Sequence, residues 1–319
     1  MIFSKTPFRI SFVGGGTDNL KKQNFKGQVI SCTINKFIFV GMNKKFDDKI
    51  RFSYSKTENV NHSKNLKHEM LRETFKYFNI TKGFEVVSIG DIPSTGSGLG
   101  SSSSFLVGLI KCINSIKNLK LTRKKIAEIA CHIEINILKK PIGMQDQYSA
   151  AFGGLNHIIF DKKNVKVNKI KISKYRLKIF ESNLFLFYTN ILRKSKSILK
   201  NVKKNNNIKF LKQIADLSSK FKKTLTSGDL DNIGKILNEG WELKKKLSKN
   251  TSNSILDKMY DYALKSGASG GKLLGAGGGG FFLFYVPKKN HKLFKKKMRK
   301  YKLVNFNFSK IENKNFNLA

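Results

Sequence analysis

A glycine- and serine-rich stretch, Pro93–Ser104, is the pattern in this sequence with the clearest chemical use. It follows a predicted strand and leads into a predicted helix, so free backbone N–H groups and the positive end of a helix dipole would meet there and attract an anion. Gly96, Gly98 and Gly100 allow close approach to the backbone. The stretch has no lysine and therefore differs from the G-x-x-x-x-G-K-[ST] phosphate loop. A plain helix cap with a flexible turn is the alternative interpretation.

Two carboxylates downstream of this stretch are placed unlike ordinary solvated ones. Glu134 lies at the inward edge of an apolar helical stripe, four residues after Ala130 and three before Ile137. An acid in such a place needs a cation, and magnesium prefers oxygen ligands, so the position predicts a metal ligand or a salt bridge. Asp146 stands between two glutamines after this helix, where it suits a general base or charge stabiliser for a hydroxyl group. A turn residue is an equally good interpretation of Asp146.

A second glycine cluster, Gly275–Gly280, contains the spacing G-x-G-x-x-G. In dinucleotide-binding folds that spacing needs a strand before it and a helix after it, whereas here the apolar strand Phe281–Val286 follows. The cluster is therefore predicted to be a tight hairpin turn or a glycine turn that packs against the first loop.

The predicted elements alternate in an order that could position these residues. Runs rich in β-branched and aromatic residues predict strands at Phe8–Val13, Val29–Ile34, Phe37–Val40, Ile50–Tyr54 and Phe84–Ile89. Apolar residues at helical spacing predict helices over 67–78, after Ser104, and from Arg123 to about Leu138, where Lys139-Lys140-Pro141 follows. The second half predicts helices around 194–224, 229–247 and 253–266, the strand Phe281–Val286, a basic helix 288–300 and a strand near 303–308.

The length of 319 residues exceeds what one core usually supports, so two domains are expected. Composition changes near 161–173, where lysine and asparagine alternate with valine and isoleucine. We therefore predict an N-terminal domain over 1–165 that carries the glycine- and serine-rich loop and Asp146. The C-terminal domain over 166–319 would carry the second glycine cluster.

The formal net charge of +41, from 62 Lys+Arg against 21 Asp+Glu, raises the question of a nucleic acid or a membrane surface as partner. Only seven of the basic residues are arginines, and the lysines are spread along the chain among asparagines. This distribution favours solvated faces, with neither nucleic acid nor membrane as a partner.

Three scattered cysteines, Cys32, Cys112 and Cys131, suit neither a disulfide framework nor a zinc site. No secretion signal is visible at the N-terminus, where Lys5 and Arg9 interrupt the first apolar residues. The longest apolar run, Phe281–Val286, falls far short of the ~20 residues that a membrane span needs. We therefore expect a cytoplasmic protein.

Three motifs, Pro7–Asp18, Pro93–Ser104 and Leu274–Phe281, resemble in order and spacing the three signatures of the GHMP kinases. This family is named for galactokinase, homoserine kinase, mevalonate kinase and phosphomevalonate kinase. The resemblance implies a two-lobed α+β fold, with an N-terminal mixed or antiparallel sheet with helices and a C-terminal α/β sandwich that carries a substrate lid.

Within the family, the likeness is strongest to kinases that transfer phosphate from ATP to the anomeric C1 hydroxyl of D-glycero-D-manno-heptose 7-phosphate. That reaction would give the 1,7-bisphosphate for the synthesis of nucleotide-activated heptose. A kinase of an unphosphorylated sugar, such as fucose or galactose, is the alternative, and a basic nucleic-acid-binding protein is a remote one. A homodimer is left open.

The resemblance also implies roles for individual residues. Asp146 would face the sugar hydroxyl, with Arg9 near the transferred phosphate, while Ser102 and Glu134 would hold Mg²⁺. ATP would contact Pro93, Gly96, Ser97, Gly98, Leu99, Gly100, Ser101, Ser102, Ser103, Gly277 and Gly278. The sugar would contact Gly14, Gly15, Gly16 and Asp18, and Arg193 or Lys56 would bind the phosphate that the substrate already carries.

The sequence departs from galactokinase in the first motif, where Gly15-Gly16 stands in place of Glu-His. The loss of two side chains would leave room at the far end of the sugar and so fit a longer substrate. Alternatively, the three glycines Gly14–Gly16 serve only the backbone geometry of the turn.

Overall fold

The computed structural model describes residues 1–19, 25–93, 96–162, 164–191, 208–309 and 315–317. Its strands form two separate sheets, and helices cover both, so the fold is α+β as expected. The larger sheet consists of β1 (Ile2–Val13), β2 (Gly27–Lys44), β3 (Ile50–Ser53), β4 (Thr57–Val60), β5 (Phe84–Gly90), β6 (Leu155–Phe160), β7 (Val165–Lys169) and β12 (Asn315–Asn317). The smaller sheet consists of β8 (Leu184–Tyr188), β9 (Gly270–Leu273), β10 (Phe281–Tyr285) and β11 (Lys302–Val304).

The long strand β2 organises the larger sheet, whose order is β12-β1-β2-β5-β3-β4. Its first half pairs with β6, which in turn pairs with β7, and its second half pairs with β5. The β3–β5 pair is parallel and the other pairs are antiparallel, which makes the sheet mixed. The runs Val29–Ile34 and Phe37–Val40, predicted as two strands, are one continuous strand.

Nine α-helices lie within the described residues: α1 (Glu69–Tyr77), α2 (Ser101–Ile116), α3 (Arg123–Cys131), α4 (Gln145–Phe152), α5 (Lys174–Ser182), α6 (Ile208–Thr226), α7 (Asn232–Leu247), α8 (Ser254–Lys265) and α9 (His291–Lys297). The predicted helix from Arg123 continues past α3 as a π-helical turn, His132–Ile137. The predicted basic helix 288–300 contains α9 between two 3₁₀ turns, Lys288–Asn290 and Met298–Lys300. Residues 194–207 of the predicted helix 194–224 lie outside the described residues.

Helix α2 packs closely against β1 because Gly108 has no side chain. A Cβ atom at Gly108 would lie 2.8 Å from Ser4 Oγ and 3.0 Å from Thr6 Oγ1, closer than the packing allows. Two β-bulges interrupt the β1–β2 pairing, between Pro7 and Arg9 and between Ser11 and Val13. Bulges redirect side chains, and these two flank the segment of β1 that runs beside the start of α2.

The smaller sheet is buried on both faces. One face carries Phe282 and Phe284, which pack with Trp241 and with α8 and α9. The other face belongs to the same core as β1, where Phe12 stacks on Phe221. The chain passes from the larger to the smaller sheet between β7 and β8, and the proposed domain limit at 165/166 stays a prediction.

None of the described helices is both long enough and apolar enough to cross a membrane.

Candidate active site

The loop between β5 and α2 is held by backbone contacts with the second glycine cluster. A Cβ atom at Gly98, whose φ is +79°, would lie 2.5 Å from the carbonyl oxygen of Leu274. A Cβ atom at Gly280 would likewise lie 2.5 Å from the carbonyl oxygen of Ser97. Any side chain at either position would separate the two segments. The cluster Gly275–Gly280 is thus the hairpin turn between β9 and β10 and also packs against the first loop. Both interpretations offered by the sequence are therefore correct at once.

Gly277 and Gly278 lie at the part of this hairpin that faces a 3₁₀ turn, Lys249–Thr251. The Gly278 N–H donates to the carbonyl oxygen of Thr251 at 2.9 Å, and a Cβ at Gly277 would lie 2.7 Å from the same oxygen. Their contact with ATP stays a prediction. Two residues of the first loop, Ser94 and Thr95, lie outside the described residues.

The N-terminus of α2 carries the serines that were expected to meet phosphate. Its N-cap is Gly100, in the left-handed region at φ +78°, and a glycine offers no side chain to the N–H groups of the first turn. Ser102 and Ser103 direct their hydroxyl groups to Glu134 instead. The backbone of the first turn is thereby kept as the part of α2 suited to an anion.

Arg9 and Asp146 form a partly buried ion pair beside this helix start. Arg9 donates to Asp146 Oδ1 from Nε at 2.9 Å and from Nη2 at 2.7 Å, and its Nη1 donates to the Gly98 carbonyl oxygen at 2.6 Å. The Arg9 side chain is 2% exposed and that of Asp146 is 25% exposed. Within the described part of the chain, Asp146 Oδ2 has no hydrogen-bond partner, so it is the oxygen available to a substrate hydroxyl.

Glu134 is fully buried and accepts four hydrogen bonds. Oε1 accepts from Ser102 Oγ at 2.9 Å and from Lys140 Nζ at 2.9 Å, while Oε2 accepts from Ser103 Oγ at 2.5 Å and from Gln147 Nε2 at 2.6 Å. The inward position predicted for Glu134 is confirmed, with an exposure of 0%. The π-helical turn His132–Ile137 presents it, a local distortion common at functional sites.

The oxygens of Ser102 and Glu134 are hard donors of the type that magnesium prefers, so this pair fits the metal that the family implies. The described residues contain no cluster of three or more His, Cys, Asp or Glu side chains that could hold a metal without further ligands.

Asp18 lies at the end of the first motif, 3% exposed, and is fastened by backbone donors. Oδ2 accepts from the Gln145 N–H at 2.9 Å and Oδ1 from the Gly16 N–H at 3.2 Å. Burial raises the pKa of Asp18, the Gln145 N–H lowers it, and the negative charge of Asp146 raises it further. Asp18 and Asp146 therefore lie in one electrostatic environment.

The glycines before Asp18 have different surroundings. Gly14 has φ +85°, and a Cβ there would lie 1.8 Å from the Gln28 carbonyl oxygen, so backbone geometry alone requires glycine. A Cβ at Gly15 would lie 3.5 Å from Ser11 Oγ and 3.7 Å from Gln145 Nε2, which are ordinary contact distances. Backbone geometry therefore explains the glycine at position 14, whereas a side-chain carbon would fit at Gly15, so extra room for a longer substrate there stays a prediction.

Three side chains at this site were not anticipated from the sequence. Lys140 and Gln147 bind Glu134, and Lys272 of β9, 7% exposed, donates to the Phe12 carbonyl oxygen at 2.8 Å across the two sheets. Burial, aided by the charge of Arg9, lowers the pKa of Lys272 to about 7. In a chain with 62 basic residues no single lysine stands out, although Lys272 lies two residues before the third motif.

The two residues proposed for the substrate phosphate are not brought to this site by any described contact. Lys56 is exposed in the turn between β3 and β4, where its carbonyl oxygen accepts from the Tyr54 N–H at 2.8 Å. Arg193 lies outside the described residues. Both assignments stay predictions.

Comparison with known proteins finds two matching family domains and relatives that extend over most of this chain. The model of the GHMP kinase N-terminal domain matches residues 65–154, and that of the GHMP kinase C-terminal domain matches 220–302. The chain is 34% identical to D-glycero-alpha-D-manno-heptose 7-phosphate kinase of Campylobacter jejuni, over 97% of each protein. It is 26% identical to a galactokinase of Pyrococcus furiosus, over 89% of this chain and 88% of that protein.

A solved structure, described as a D-glycero-D-manno-heptose 1-phosphate kinase from Bacteroides thetaiotaomicron, superposes with a TM-score of 0.83 at 24% identity and covers 100% of both chains. At that identity the likeness supports the fold alone. The two domain matches, the relative at 34% identity and the shared architecture confirm the resemblance seen in the three motifs. The chain therefore belongs to the GHMP kinase family and is an ATP-dependent kinase of the sugar-kinase type.

Proposed function

We propose that this kinase transfers the γ-phosphate of ATP to the C1 hydroxyl of D-glycero-D-manno-heptose 7-phosphate. The observation that carries the transfer chemistry is the Arg9–Asp146 pair, which leaves Asp146 Oδ2 unengaged next to the glycine- and serine-rich loop. The choice of heptose 7-phosphate is supported by the relative from Campylobacter jejuni and by the space beside Gly15.

The side chains divide the work of the reaction. The loop from Gly96 and the first turn of α2 hold the phosphates through backbone N–H groups. Asp146 Oδ2 accepts the proton of the attacking hydroxyl, while Arg9, held on Oδ1, keeps the carboxylate oriented. Ser102 and Glu134 would hold Mg²⁺, which neutralises phosphate charge when it is bound.

On the sugar side, Asp18 would accept hydrogen bonds from the sugar hydroxyls. Ser11 Oγ and Gln145 Oε1 are buried polar atoms without a hydrogen-bond partner in the described structure, and both side chains lie near Gly15. Buried polar groups are seldom left unpaired in a working complex, so these atoms suit a polyhydroxylated substrate. For the 7-phosphate, Lys56 and Arg193 remain the proposed partners.

An unphosphorylated sugar is the second candidate substrate. The similarity to a galactokinase supports it, and Asp18, Arg9 and Asp146 would serve either kind of sugar equally well. The candidates differ only in whether a cation meets the far end of the substrate.

The deciding experiment supplies Mg-ATP with heptose 7-phosphate, free heptose, fucose or galactose, and follows the product by phosphorus NMR. Heptose 7-phosphate should react fastest and yield a new anomeric phosphate signal, coupled to the proton at C1. Turnover of a free hexose with heptose 7-phosphate inert would overturn the heptose assignment. Polynucleotide binding that weakens steeply with salt, without any ATP turnover, would support the nucleic-acid alternative.

A further inference from the structure

Lys140 is a cation that lies directly on the oxygen atoms at the start of α2. Its Nζ donates to Ser102 Oγ at 3.0 Å and to Glu134 Oε1 at 2.9 Å. Its backbone N–H also donates to the Glu134 carbonyl oxygen at 3.0 Å, so both its main chain and its side chain are tied to Glu134. The preceding residue, Lys139, lies just after the π-helical turn and has a left-handed backbone with φ +50°.

The loop that would hold the phosphates has no cation of its own. Residues 96–104 contain neither lysine nor arginine, and Arg9 is engaged by Asp146 and by the Gly98 carbonyl oxygen. Phosphoryl transfer depends on cations that neutralise the transferred group and its leaving group. Lys140 brings such a charge to this loop from a distant part of the sequence.

The ammonium group also has capacity for a further ligand. Lysine has three N–H donors, and two of them are used within the described structure. The Lys140 side chain is 22% exposed, whereas Glu134 beneath it is 0% exposed. The remaining donor therefore lies on the open side of the cluster.

We propose that Lys140 is the phosphate-binding cation of this site: it neutralises Glu134 while no nucleotide is bound, moves onto the phosphates when a nucleotide binds, and thereby leaves Ser102 and Glu134 to magnesium. The inference rests on the proposed function. The ammonium and the metal need the same two oxygen atoms, so one must displace the other. A lysine stem is flexible enough to shift its head group by a few ångström while the backbone stays on Glu134.

This exchange makes two affinities change in opposite directions when the charge is removed. In Lys140→Met, ATP in the presence of EDTA should bind about tenfold more weakly, because the phosphates lose a cation. Mn²⁺ without nucleotide should bind at least about threefold more tightly, because nothing competes for Glu134. If Lys140 had only a structural role, its replacement would lower the melting temperature and leave the affinity for ATP in EDTA unchanged.

The test measures ATP binding by calorimetry, with EDTA and with Mg²⁺, and Mn²⁺ binding by electron paramagnetic resonance. Lys139→Met, at the exposed neighbouring position, is the matched control and should resemble the wild type in both assays. Lys140→Arg should recover most of the affinity for ATP. If Lys140→Met does not fold, Lys140→Gln makes the same comparison, since it keeps a donor and loses the charge.

An affinity for ATP in EDTA within twofold of wild type for the neutral variant, or weaker binding of Mn²⁺, would overturn the role of Lys140. Failure of the proposed function would look different. In that case the wild-type protein itself would not bind ATP in either condition, or would not phosphorylate any sugar of the panel.

Discussion

Replacement of Asp146 by asparagine removes the proposed general base and keeps the contacts with Arg9. Asparagine keeps a side-chain oxygen for Arg9 Nε and Nη2, so the contacts at 2.9 and 2.7 Å can persist. The variant loses the negative charge and the ability of the second oxygen to take a proton. A general base typically contributes 10²–10⁴-fold, so kcat should fall by ~10²-fold or more.

The stability that Asp146→Asn should lose can be judged from its two contacts with Arg9. Arg9 keeps its charge in the variant, so what is lost is the ion pair; removing one partner of a buried pair costs about 3–5 kcal/mol, and the partial exposure of Asp146 should reduce the loss to on the order of 2 kcal/mol. Arg9 is 2% exposed and cannot regain that loss from water, whereas Asp146 is 25% exposed, which limits the loss. We expect the melting temperature to fall by roughly 3 °C, because the unfolding entropy is about 2.1 cal/mol/K per residue over 319 residues, with the protein folded at 25 °C.

The assay combines initial rates of ADP release with calorimetric binding of Mg-ATP and a thermal melt. The affinity for ATP should stay within about threefold of wild type, because the loop contacts of Gly98 and Gly280 are unchanged. Asp48→Asn is the matched control, since Asp48 is 76% exposed and pairs only with Lys82 at the surface of the described structure. Turnover of Asp146→Asn within fivefold of wild type, with ATP still bound, would refute the role of Asp146 as base.

Two further substitutions test the surroundings of the site. Gly15→Ala should fold and melt near wild type, because its Cβ meets only ordinary contacts, yet it should raise the KM for the sugar about tenfold by filling the pocket. The matched control Gly14→Ala should not fold stably, since its Cβ would lie 1.8 Å from a carbonyl oxygen. If Gly15→Ala folds and its KM for the sugar is unchanged, the sugar does not lie beside Gly15. Lys111→Met should be more stable than wild type by on the order of 2 kcal/mol at pH 7, because Lys111 Nζ is buried without a hydrogen-bond partner in the described structure. Burial, together with the nearby charge of Arg123, lowers the pKa of Lys111 from 10.5 to about 7 in the folded state. The free-energy cost of burying the charge is therefore complete below pH 7 and is lost as the pH rises to 10.5, and only the smaller cost of an unpaired neutral amine remains above it. Urea unfolding should show the advantage of the variant shrinking across that interval, and a constant difference would refute this explanation.

Much of the site could be predicted because its chemistry is local in sequence. The glycine- and serine-rich turn between a strand and a helix follows from the residue types of one short segment. The burial of Glu134 follows from helical periodicity, since Ala130 one turn earlier is buried as well, whereas Ile137, expected on the same face, is 37% exposed because the π-helical turn changes the period. The family itself was evident from three motifs in the right order, and the domain matches confirmed it.

The sequence by itself therefore determined the fold class and predicted the glycine-rich turn between a strand and a helix, and it singled out Glu134 and Asp146 as candidate site residues. Only the tertiary structure decided that Lys140, among so many lysines, reaches Glu134, that Gly280 supports the loop at Ser97, and that Gly14 and Gly15 have different surroundings. The reason is physical: periodicity describes which face a residue occupies, whereas ion pairs and backbone contacts act over about 3 Å. Arg9 and Asp146 stand 137 residues apart, and only the packing of β1 against α2 and α4 brings them together.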